Sequence, residues 1–143
     1  MRAAIVLVLG VAACSGREDI TRVESLLHTP LRDRPDVHAA YGELNDGDSR
    51  GIVFGLTRFD TDDAGFVALC RDLKAEAAQG HGYLPATWSW PLEGARPSWW
   101  SPERTTPEMA CARPYGSHGW IAAKLEEPHV FVIVTDVGGS DGR

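Results

Sequence analysis

Several short patterns in this 143-residue chain carry residue types that could do chemistry. Gly138-Gly139-Ser140-Asp141-Gly142 spells the Gly-x-Ser-x-Gly pattern of a serine nucleophile on a strained strand-to-helix turn. That chemistry needs an acid and a histidine later in the chain, and only Arg143 follows. Asp60-Thr61-Asp62-Asp63-Ala64-Gly65 opens like a calcium loop. Ala64 brings no oxygen to the fifth position, and Arg71 stands where a bidentate glutamate is required. A helix cap accounts for the same residues. The five histidines, His28, His38, His81, His118 and His129, are scattered with no pair at ligand spacing. We therefore expect no metal and no cofactor.

The tryptophans form the strongest constellation. Trp88, Trp90, Trp99 and Trp100 fall within one proline-rich stretch. An indole is large and rigid with one donor, so an exposed cluster suits a sugar or protein partner, and a covered one suits a core. The favoured expectation is packing, with Trp90, Trp99 and Trp100 folded over a bare sheet face. The alternative keeps all four as a candidate binding surface, with Trp100 the more buried and Trp88 the more exposed. A catalytic role would need acids and bases beside them, and Asp60, Glu93, His81 and His118 are the groups whose convergence would make one.

The rest of the composition narrows the function. The net charge is −6 and no basic stripe stands out, so nucleic-acid binding is not expected. No segment after the N-terminus has the roughly 20 consecutive apolar residues of a transmembrane helix. Met1-Arg2, the apolar run Ala3 to Val11 and the small residues Ala12-Ala13 before Cys14 make a secretory signal of residues 1–13. Ending on cysteine, it resembles a bacterial lipoprotein signal, which implies acylation of Cys14 and attachment to a membrane through acyl chains. Cys70 and Cys111 then remain, an even number in an exported chain, and are expected to form one disulfide. Closing a loop of that length stabilises by about 4 kcal/mol if the gain is entropic.

These residues need elements to hold them. Residues 14–36 are expected to be a lipidated tether with one short helix, since Ile20, Val23, Leu26 and Leu27 recur at helical spacing before Pro30. A single domain is expected over 37–136, with a mobile tail at 137–143. Val37 to Leu44 and Gly51 to Phe59 form a hairpin around Asn45-Asp46-Gly47-Asp48. Thr61 or Asp62 caps the main helix, whose buried stripe is Phe66, Leu69, Cys70, Leu73 and Ala77 and whose end is Gln79-Gly80. Ser101-Pro102-Glu103 and Thr106-Pro107-Glu108 each suit a short helical turn. Gly119 to Glu126 and His129 to Asp136 close the chain as strands, the second apolar on both faces and so expected to be central.

The expected fold is a two-layer α+β domain, with an antiparallel sheet of about four strands, one main helix and a long Trp/Pro segment. Arg58-Phe59-Asp60 before the helix and Trp99-Trp100-Ser101-Pro102 before the last hairpin resemble small secreted bacterial domains over about residues 37–136. That resemblance implies no activity.

Function is expected to be a lipid-anchored, non-catalytic binding domain of the cell envelope with a glycan or protein partner. The alternative is a small envelope enzyme acting on glycan or peptide. By the same resemblance to lipoproteins, Ser15 after the acylated cysteine favours the outer membrane. Cys14→Ala should abolish acylation and leave unprocessed precursor, read by membrane fractionation and mass spectrometry of the N-terminal peptide. Recovery of a soluble, non-acylated wild-type protein would sink the lipidation.

Overall fold

The computed structural model describes residues 17–45, 51–77, 88, 90–102, 109–116 and 118–137. A helix, α1, covers 17–27. Its apolar residues recur every three or four positions, which places Val23 and Leu27 on one face, both wholly buried, with Ile20 and Leu26 packed beside them. The helix ends at His28 with a φ of 55°. The Glu24 carboxylate then folds the chain back over itself. It accepts from the backbone N–H groups of Leu31 at 2.7 Å and Arg32 at 2.9 Å, and from Arg32 Nη2 at 2.7 Å. Leu31 is thereby driven into the core, wholly buried. The expected tether is corrected here: residues 17–36 belong to the folded domain. The prolines and the run Arg32-Asp33-Arg34 suggest a linker, but Leu31 pins the segment down.

The strands are β1 (His38–Asn45), β2 (Gly51–Asp60), β3 (Glu76–Ala77), β4 (Met109–Tyr115), β5 (Gly119–Glu126) and β6 (His129–Val137). They form one antiparallel sheet in the order β1-β2-β6-β5-β4-β3. The fold is α+β as expected, with six strands rather than four, and two helices, among the described residues. The added strands, β4 and the short β3, come from stretches expected to be irregular or helical. The loop around Asp46-Gly47-Asp48, the helical turns expected near Glu103 and Pro107, and the tail beyond Val137 lie outside the described residues.

Helix α2 (Asp63–Asp72) starts where Asp62 accepts from the Gly65 backbone N–H at 2.8 Å. It ends earlier than the sequence suggests. The N–H of Lys74 meets the Arg71 carbonyl and the N–H of Ala75 meets the Cys70 carbonyl, a Schellman pairing with Lys74 at a φ of 58°. Ala77, expected on the helix stripe, lies instead in β3.

The sheet separates two cores. Toward the helices lie Phe59, Ile121, Ala123, Val130, Val132 and Val134 with Val23, Leu27, Leu31, Phe66 and Leu69. At Gly55 a side chain would meet Val134 Cγ1 at 2.8 Å and Leu26 Cδ1 at 3.0 Å, so α1 can settle on β2 only because that position is bare. Toward the other side lie Leu56, Ala110, Ala112, Ala122, Phe131 and Ile133 under Trp88 and Trp100. Strand β6 is covered on both faces, as its sequence suggests. The disulfide joins Cys70 of α2 to Cys111 of β4 across a Cα separation of 6.1 Å, tying the helix layer to the sheet.

Hydrogen bonding from the Arg32 side chain, with the Leu31 and Arg32 backbone N–H groups and against the effect of burial, holds the Glu24 carboxyl down at about 2 from an ordinary 4.5. A depressed carboxyl stabilises the fold above its unfolded value and loses that contribution as pH falls through its folded one. Glu24→Gln should lower stability by about 1–3 kcal/mol at pH 7. Urea midpoints of variant and wild type should converge as pH drops from 4.5 toward 2. A constant gap across that window would contradict the assignment.

Candidate functional site

Side chains alternate across a strand, so one face of β2 carries Phe54, Leu56, Arg58 and Asp60. Pairing extends that face sideways. His38 of β1 lies opposite Arg58, Arg58 opposite Phe131, and Phe131 opposite Lys124 of β5. One step nearer the strand ends, Asp60 faces His129 and His129 faces Glu126. The register thus gathers two histidines, an arginine, a lysine and two carboxylates at one end of the face opposite the helices. Asp36, just before β1, completes the row.

Each acid in this row meets a base. Asp36 Oδ2 accepts from Arg58 Nη2 at 2.6 Å, and Asp36 Oδ1 lies 3.2 Å from His38 Nε2. Burial of the Asp36 carboxyl alone would push it up, but the His38 hydrogen bond and the Arg58 charge outweigh this and hold it below the usual range. His129 Nδ1 lies 2.8 Å from Asp60 Oδ1, with 37% and 32% of the two side chains exposed. Lys124, wholly buried, pairs with Glu126 at 2.6 Å.

The indoles roof the same face. Trp100 is wholly buried, its ring edge-on to Phe131 at 5.4 Å and its Nε1–H donating to the Trp88 carbonyl at 3.1 Å. Trp88 is 7% exposed and covers the Lys124 ammonium at 4.9 Å. This corrects the expectation that Trp88 is the more exposed: the buried cation beneath it and the Trp100 N–H on its carbonyl draw it inward. Trp88 and Trp100 therefore cannot belong to an open binding surface. Trp90 and Trp99 are partly buried. Trp99 stacks on the His38 ring with centroids 5.6 Å apart and planes 11° apart, and Trp90 meets it edge-on at 5.9 Å.

The foursome Asp60, Glu93, His81 and His118 does not assemble as a site among the described residues. Glu93 is exposed in the loop after Pro91, and His118 sits in the turn before Gly119, at the other end of β5 from Glu126. His81 lies outside the described residues, as do Cys14 and the Gly-x-Ser-x-Gly run. Asp60 pairs instead with His129, 69 positions away. His38, Arg58 and His129 are the members that sequence reasoning missed, because only strand register brings them together. Among the described residues no group of three His, Cys, Asp or Glu is placed to hold a metal ion. Asp62 is committed to its helix cap.

Among the described residues three buried polar atoms on or above this face lack a partner: Arg58 Nε, Trp90 Nε1 and Thr135 Oγ1. A separate groove of about 390 Å³ beside the disulfide, lined by Phe66, Val67 and Met109, is mainly apolar. Comparison with known protein families, curated proteins and solved structures finds no match to this chain.

The burial order sets the cost of removing each indole. Trp100→Ala should destabilise by about 3–5 kcal/mol, the usual cost of emptying a buried tryptophan site. Trp99→Ala, at the open margin, should cost about 1–2 kcal/mol. Urea midpoints of the two variants decide it, and equal losses would contradict the order.

Proposed function

We propose that this chain is an exported, lipid-anchored protein of the cell envelope whose domain binds an envelope glycan or protein partner without chemistry of its own. The row His38, Arg58, Asp60 and His129, bordered by Trp99, is the surface offered to that partner. Its convergence at the open margin of the indole layer is the observation that carries the reading. His38, Asp60 and His129 keep 38%, 32% and 37% of their side chains exposed, and a polar partner can meet them there. Acylation of Cys14 would leave only Ser15 and Gly16 before the helical residues 17–27. At about 3.5 Å per residue the domain would then sit on the order of 10 Å from the anchor, close against the bilayer. The residue after the cysteine favours the outer membrane of a two-membrane cell.

A second reading has its own observation. Asp60 and His129 at 2.8 Å have the geometry of an acid–base pair, which a small envelope enzyme acting on glycan or peptide would use. Envelope fractions incubated with the full chain separate the two. Binding predicts retention without new products, and its loss in His38→Ala. Product release that disappears in Asp60→Asn would overturn binding in favour of the enzyme.

A further inference from the structure

Arg58 is a cation whose own fold leaves it underused. Its side chain is 12% exposed, and a guanidinium carries five N–H donors. Among the described residues its one acceptor is the Asp36 carboxylate, and its buried Nε–H has none. A buried donor without an acceptor is costly. Asp36 is a partner that solvent can reach. It is half exposed, lies outside the sheet, and adopts a φ of 51°, a region that L-residues rarely occupy.

The way Asp36 sits shows what fits. One of its oxygens meets Arg58 and the other meets His38, so a planar group with two oxygens bridges the two bases. The wall beside it is the stacked pair of His38 and Trp99, and next to Trp99 stands Trp90, whose buried Nε1–H has no acceptor among the described residues. Trp99, partly exposed beside the Arg58 and His38 donors, suits a pyranose, whose faces are apolar and whose rim is rich in oxygen.

We propose that Arg58 and His38 form the anchor of a site for a carboxylate-bearing sugar, and that the Asp36 carboxylate occupies this anchor until the ligand displaces it. The inference rests on the binding reading above and names its ligand class. Binding is an exchange of one carboxylate for another, with no covalent step. An internal occupant lowers apparent affinity by the fraction of time the anchor is free.

Calorimetric titration of the full chain with methyl β-D-glucuronide, methyl β-D-glucoside and acetate tests it. The glucuronide should bind at least about tenfold more tightly than either the neutral sugar or the carboxylate alone. Asp36→Ala should tighten it by about tenfold, a gain that misfolding cannot imitate. Arg58→Lys, which keeps the charge and loses the fork, should weaken it by about tenfold or more. Equal binding of glucuronide and glucoside, lost in His38→Ala, would overturn the carboxylate anchor and leave the binding reading standing. Binding of neither sugar, with retention on envelope fractions intact, would overturn the sugar class. Failure of that retention in the wild type would overturn the binding reading itself.

Discussion

Strand β6 is apolar on both faces, and the rest of the molecule is arranged around the need to cover it twice. Val130, Val132 and Val134 point to one side, Phe131 and Ile133 to the other. Two short helices cover the first side. The second is closed by an irregular segment, which has to satisfy its own backbone while excluding water from the sheet. Indoles meet both demands. Each spans a wide area with few rotatable bonds, and the Trp100 N–H ties the Trp88 carbonyl while its ring rests on Phe131.

That solution places the polar row. At the strand ends His38, Asp60 and His129 keep 38%, 32% and 37% of their side chains exposed, and charged residues collect there in paired form. Under the layer itself the same pairing rule becomes stricter. Lys124 is wholly buried, and Glu126 beside it and Trp88 above it stand in for the water it has lost. Removing one partner of a buried pair costs more than the pair contributes, because the remaining charge has nowhere to go. Row and layer therefore depend on each other, since Trp88 and Trp99 each lie over a member of the row.

Much of the fold could be read from local pattern. Alternation located β2 and β5, a run apolar on both faces located β6, and Thr61 or Asp62 marked the start of α2. The misses have physical causes. The sequence of β4, Met109-Ala110-Cys111-Ala112-Arg113-Pro114-Tyr115, is short of β-branched residues and contains a proline, so it lacks the usual strand signals. It forms a strand because β5 pairs with it on one side, β3 on the other, and the disulfide ties it to α2. Gly80 suggested a helix end that Lys74 had already supplied. The site was less legible than the fold. Asp60 reads as a candidate acid and His129 as one of five scattered histidines, and only the register of β2 against β6 makes them neighbours.

Helix α1 ties these layers to the N-terminus. Val23, Leu27 and Leu31 close the helical core, and the chain from Leu31 runs through Arg34, stacked on Phe59 at 4.7 Å, to Asp36 in the row. The Pro35 carbonyl accepts from the Asp60 N–H, so the loop that carries Asp36 is fastened to the strand that carries Arg58. A shift of α1 would move Asp36 relative to Arg58 through a few rigid contacts rather than through a flexible linker. In the lipid-anchored reading the membrane holds this helix two residues from its start. The position of the bilayer and the occupancy of the row by Asp36 would then act on the same short stretch of chain.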